Sequence, residues 1–249
     1  MLRKLQNYLG RALARYLTQP VRTYELFAVS DVTILRKVLQ PADIILIEGN
    51  TRISTAIKYL TQSTWSHACM YIGEAQGPNR SDLVEADLIQ GVIAVPLEKY
   101  AGFNLRICRP FGLTGADQSR VVESIVSQLG KRYDLKNVID LMRYLLPTPP
   151  VPVRFRRRLM AFGSGDPTRG ICSTMIAQAF QAVRYPILPR SASGCTEIGH
   201  EISESDCLDT RHYSHFTPRD FDLSPYFAVV KPTLEMQFKY KQLHWVADV

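Results

Sequence analysis

Cys172, His67 and Glu85 are the three side chains whose types and placement suit the cleavage of an acyl bond. Cys172 opens the run Gly170-Ile171-Cys172-Ser173-Thr174-Met175-Ile176-Ala177-Gln178-Ala179-Phe180, which is apolar and has helical spacing. A helix N-terminus carries unpaired N–H groups and a partial positive charge, and both favour a thiolate over a thiol. The same N–H groups, that of Ser173 among them, can hold the oxyanion formed when a thiolate attacks a carbonyl. The plain alternative for Cys172 is a small buried hydrophobe. His67 begins a strand-like run far upstream, and Glu85 lies on the next one. If that hairpin pivots near residue 76, positions 67 and 85 face one another with Cβ atoms about 4.5–5.5 Å apart. A carboxylate there fixes the tautomer of the imidazole and leaves its other nitrogen for the thiol proton, in the chain order His, Glu, Cys. Asp87 is two residues on, faces the same side and is the reserve acid. Read blandly, His67 is a satisfied strand-end histidine and Glu85 a solvated strand carboxylate.

The elements that must position these groups follow from local patterning. Asp43–Glu48 is a short buried-strand signal ended by Gly49-Asn50, and residues 52–62 have helical spacing. His67–Gly73, Leu83–Asp87, Val92–Pro96 and Asn104–Pro110 are short strands with tight connections, which predicts antiparallel pairing. Ala116–Leu129 is predicted helical with Gly130 as its stop, and Asp134 can cap a further helix through Leu146. Residues 147–170 are a Pro- and Arg-rich loop leading into the cysteine helix, which stops near Tyr185-Pro186, and Tyr226–Val230 returns to strand character. Helices and an antiparallel sheet occupy separate stretches, so the class is α+β.

At 249 residues the chain can bury one substantial core. Its net charge of +7 is concentrated in two places. Arg3, Lys4, Arg11, Arg15 and Arg22 precede the first acid, Glu25, and Arg154, Arg156, Arg157 and Arg158 form a second cluster. The rest is close to neutral, which argues against nucleic acid as a partner. Residues 1–19 read as an amphipathic helix with a leucine face and an arginine face, limited by Pro20. That basic helix, within residues 1–22, either makes peripheral contact with an anionic membrane surface or partner groove, or packs on the body with its basic face solvated. The division expected is an N-terminal arm, 1–30, and a catalytic domain, 31–249. No apolar stretch approaches a membrane span, Met1–Pro20 lacks the apolar centre of a signal peptide, and five cysteines without paired spacing predict a reducing, cytoplasmic setting.

Taken in order, Asp43-Ile44-Ile45-Leu46, Ser66-His67-Ala68, Val84-Glu85-Ala86, Gly130-Lys131-Arg132-Tyr133-Asp134 and Ile171-Cys172-Ser173 resemble the successive blocks of the YiiX-like, circularly permuted papain-fold amidases, relatives of the NlpC-type cell-wall peptidases. The resemblance spans roughly residues 40–185. It implies a papain-like fold in which the histidine strand precedes the cysteine helix, with an antiparallel sheet or barrel packed against a helical bundle carrying the nucleophile. It also implies Cys172 as nucleophile, His67 as base and Glu85 as orienting acid. The substrates implied are peptides, cell-wall fragments or acyl conjugates, and distant cousins move acyl groups on lipids.

Secondary candidates are fewer. Tyr133 either places a hydroxyl near the substrate or packs beside Asp134. Arg154, in the arginine cluster, either clamps a carboxylate or anionic headgroup or sits in a solvated loop. Cys69 shares the strand face of His67 and reads as a structural thiol. Cys195, His200, Cys207, His212 and His215 have spacings that fit no usual zinc pattern, so neither metal nor cofactor is expected. The leading expectation is a cysteine hydrolase cleaving an amide through an acyl-enzyme. The alternatives are a lipid acyltransferase or thioesterase at a membrane surface, and a silent binding module.

Overall fold

In the computed structural model the described residues are 31–73, 81–87, 90–131, 171–191 and 211–235, with short pieces at 16, 18–20, 25–26, 196–197, 200–201 and 208–209. The expected N-terminal helix, apart from those few positions, the helix at 134–146, the 147–170 loop, Tyr133, Arg154, Cys195 and Cys207 lie outside the described residues.

The centre is a six-stranded antiparallel sheet. Its strands are β1 (Ile44–Ile47), β2 (His67–Tyr71), β3 (Leu83–Asp87), β4 (Gly91–Val95), β5 (Leu105–Pro110) and β6 (Phe227–Val230), in the spatial order β6-β5-β1-β2-β3-β4. All four residues of β1 are buried, because helices or turns cover both faces of this central strand. Pairing of Ile45 with Ile107 and with Cys69 defines one face, and pairing of Leu46 with Arg106 and with Ala68 defines the other.

Each face supports its own core. One buries Ile44, Leu46, Ala68, Met70, Val84 and Ala86 beneath α3 (Gly115–Val126), α4 (Ile171–Ala182) and α5 (Pro218–Leu223). Phe180 of α4 is the aromatic hub there, with Phe227 edge-on at 5.2 Å and Tyr185 at 5.5 Å. The other face buries Ile45, Ile47, Cys69, Tyr71 and Leu83 against α1 (Val32–Val38) and a 3-10 turn, Leu97–Tyr100.

Local chemistry explains the element ends. Asp31 and Thr114 cap α1 and α3, accepting from Thr33 N and Asp117 N. Thr51 caps α2 (Arg52–Thr61), and Gln62, at φ 51°, ends it in a left-handed cap. Gly130, at φ 80°, stops the chain after α3, and its N–H donates to Val92 O of β4 at 2.9 Å. Of the N-terminal arm, Tyr16 accepts from Arg52 at 2.7 Å and Gln19 O from Arg52 N at 3.1 Å, so this piece rests on the start of α2.

Among the elements that were not expected are α1, the 3-10 turn at Leu97–Tyr100 and α5. These three are short, four to seven residues, too brief for a periodic pattern to stand out. The β2–β3 hairpin is also shifted. Met70 pairs with Val84 and Tyr71 with Leu83, one residue beyond the expected pivot. Continued along both strands, that register sets Cys69, rather than His67, across from Glu85. The ladder is confined to those two pairs, whereas β3 and β4 pair through five. The end of β2 that begins with His67 is therefore free of β3's backbone.

Candidate active site

Cys172 lies in the first turn of α4, where backbone N–H groups have no partner four residues back. The helix packs on the face of Ala68 and Val84, and Cys172 belongs to that core. His67 and Glu85 have the parity of the opposite face. Thiol and imidazole meet where β2 and β3 cease to pair: Cys172 is hydrogen-bonded to His67 and to the backbone of Ala68. Its Sγ is 3.9 Å from the Ser173 hydroxyl.

His67 uses its second nitrogen on the carboxylate. Nε2 is 3.2 Å from Glu85 Oε2, which leaves Nδ1 for the sulfur. Glu85 is 1% exposed and is held from further sides. Tyr100 donates to Oε2 and Lys99 to Oε1, both in very short contacts. The tyrosine ring stands 6.1 Å from the imidazole.

Burial and charge act against each other here. Burial alone would discharge all three groups. For Cys172 it is outweighed by the His67 cation and by hydrogen bonds from His67, the Ala68 backbone and Ser173, and the thiol is held below its ordinary range. For His67 it is outweighed by the thiolate and then by Glu85, which together push the imidazole up to about 10. Glu85 is likewise carried past its burial by His67, Lys99 and Tyr100, down to about 2. The three shifts run in the direction that favours a thiolate beside an imidazolium and an ionised carboxylate. Cys69 and Cys108 behave oppositely: burial raises both, Cys108 to about 12. Cys69 donates weakly to Ile45 O at 3.7 Å, as a structural thiol would.

Of the residues singled out from sequence, Cys172, His67, Glu85 and Ser173 are brought together. The expected face-to-face placement of 67 and 85 is corrected: Glu85 reaches His67 along a diagonal of the hairpin, still within side-chain range. Asp87 instead accepts from Gln90 N at 2.8 Å. Lys99 and Tyr100 were missed; the available signal was a Lys-Tyr pair in a Pro-initiated turn directly after the strand that pairs with Glu85's own. His212 of the weighed zinc set accepts from Ser214 N at 3.3 Å. Among the described residues no cluster of three His, Cys, Asp or Glu side chains could hold a metal.

No curated protein matches the chain. The metalloprotein YiiX from Escherichia coli O157:H7 is similar over 77% of this chain and 96% of its own, at 17% identity and a TM-score of 0.45. Residues 38–144 match the family described as permuted papain-like amidase enzyme, YaeF/YiiX, C92 family. The matched stretch contains His67 and Glu85 and ends ahead of Cys172. That match covers less than half of the chain and is in keeping with an α+β, permuted papain-like fold and with a cysteine hydrolase in general.

Proposed function

We propose that this chain is a cysteine-dependent hydrolase of amide bonds that works through an acyl-enzyme. The observation that carries the reading is the adjacency of Cys172 to His67 and of His67 to Glu85, with the thiol lowered and the imidazole raised from their ordinary ranges. The Cys172 thiolate attacks the carbonyl carbon, and the negative charge moves to the carbonyl oxygen. The N–H groups of the first turn of α4, that of Ser173 included, receive that oxyanion. His67 then gives its proton to the departing amine as the C–N bond breaks, leaving a thioester. Water attacks the thioester while neutral His67 takes its proton. Collapse releases the carboxylic acid and restores the thiolate–imidazolium pair. Glu85 stays ionised throughout and keeps the ring's Nε2 engaged, so that Nδ1 serves the sulfur.

The substrates this reading favours are peptides, cell-wall fragments or acyl conjugates. Residues 1–22 supply five basic side chains for peripheral contact with an anionic membrane. Among the described residues no helix is long and apolar enough to cross one.

The deciding experiment treats the full chain with an electrophilic acyl-type probe and maps the adduct by mass spectrometry. The expected result is one adduct on Cys172, lost in Cys172→Ala and in His67→Ala. An adduct that persists in His67→Ala, or none with any acyl donor, overturns the reading.

A further inference from the structure

The carboxylate that orients the imidazole is itself held by two neighbours from one short turn. We propose that Lys99 and Tyr100 are positioning residues that fix Glu85 for His67, and that the Lys99 ammonium balances the buried charge of the site. The proposal rests on the reading of Cys172, His67 and Glu85 as the reacting groups.

The two oxygens of Glu85 are divided. Oε2 accepts from His67 Nε2 and Tyr100 Oη, and Oε1 accepts from Lys99 Nζ. A carboxylate gripped on both oxygens cannot rotate away from the ring. The turn delivering these donors is itself fastened. Leu97 and Tyr100 are buried, and Tyr100 is edge-on to Phe103 at 5.7 Å. Glu98, between them, accepts from Arg36 of α1 at 2.8 and 3.1 Å, and Arg36 also meets buried Asp82 at 2.7 Å. Of the two donors to Glu85, Lys99 is the one that reaches outward, with 40% of its side chain exposed.

Charge gives the lysine its purpose. Thiolate, imidazolium and carboxylate together carry one net negative charge in a buried place, which is costly to leave uncompensated. The ammonium brings the sum to zero. The titratable groups facing Glu85 are His67 and Cys69 from β2, Cys172 from α4, and Lys99 and Tyr100 from the turn. Asp87 shares its strand, and β4 offers only apolar residues and Gly91. Removing the one exposed cation therefore disfavours both anions, and the thiolate gives way at a higher pH.

The test follows iodoacetamide alkylation of Cys172, mapped by mass spectrometry, in the full chain from about pH 4 to about pH 9. Lys99→Met should raise the acid limb of the rate by about one pH unit, and Lys99→Arg should return it to the wild-type position. Tyr100→Phe, a near-isosteric change, should raise it by less and carries the test alone should Lys99→Met fail to fold. Superimposed limbs for wild type and a folded Lys99→Met, or for wild type and Tyr100→Phe if only that variant folds, overturn the proposal while leaving the hydrolase reading intact. A wild-type Cys172 that reacts like an ordinary thiol overturns both.

Discussion

Glu85 meets His67 along a diagonal of the β2–β3 hairpin, its Oε2 3.2 Å from the ring's Nε2, while the register of Met70 with Val84, continued by one residue, would set Cys69 across from it. The imidazole is thus oriented by a group on the neighbouring strand at a longer reach than a directly opposed pair would need. The arrangement depends on whatever holds that carboxylate still.

Thiol reactivity should separate the three described cysteines. Cys172 is held below its ordinary range by His67, whereas burial raises Cys69 and Cys108. At about pH 6 iodoacetamide should label Cys172 ahead of both. His67→Gln removes the cation that sustains the thiolate and should slow that labelling by on the order of 100-fold. Equal labelling of Cys172 in wild type and variant would contradict the ion pair.

The acid side of the stability curve should belong in part to Glu85. Its folded value is depressed to about 2 from an ordinary 4.5. Its stabilisation is therefore complete above the unfolded value and disappears as the pH falls toward 2. Glu85→Gln should be less stable than wild type at neutral pH and should show a shallower acid decline. Urea unfolding at a series of pH values measures both, and parallel acid limbs would be the contrary result.

His67 and Cys172 should nearly cancel around neutrality. The contribution of His67 is complete below its unfolded value, 6.5, and is lost as the pH climbs through about 10. That of Cys172 is complete above its unfolded value, 9.0, and is lost as the pH falls through its lowered one. Between 6.5 and 9.0, wherever the pH is above the lowered Cys172 value, folding moves a proton from sulfur to nitrogen with no net uptake. Calorimetric unfolding in buffers of different ionisation enthalpy should find no proton exchange from this pair in that window. A net uptake that disappears in His67→Gln would refute the assignment.

Gly49→Ala should destabilise the strand entry to the site. Gly49 N donates to Ser66 Oγ at 2.9 Å, and an added Cβ would stand 2.8 Å from that oxygen and closer still to Ser54 Oγ. Both serines are buried, so the overlap is relieved only by backbone movement, at about 1–3 kcal/mol. Because Ser66 adjoins His67, low-pH labelling of Cys172 should weaken along with the thermal midpoint. An unchanged midpoint would show that the pocket yields freely.

Much of this was legible in the chain and some was not. β3 runs from Leu83 to Asp87 as its residues predict, and α2 and β5 fall within a residue of expectation, because apolar runs bounded by Gly, Asn and Pro leave little choice. Gly130 stops its segment as read, since the left-handed conformation found there suits glycine. The hairpin register was misplaced because the turn chemistry of residues 74–80 does not fix a pivot, and one residue exchanges the opposed pairs. Cys172 and His67 were recognisable by type, whereas Lys99 and Tyr100 were not. Their role comes from a four-residue turn docking under a strand, and the Lys-Tyr pair after Pro96 does not by itself say where that turn docks.

The pairing of β2 with β1 carries a last consequence. His67 stands opposite Ile47, and a slip of one position would exchange the two sides of β2. The ring would then point at the helical layer, out of range of its carboxylate, though most backbone bonds could re-form. A mispaired chain would be compact yet inert, so mild-acid labelling of the thiol counts only correctly assembled molecules. Chemistry at this site doubles as an assay of folding fidelity.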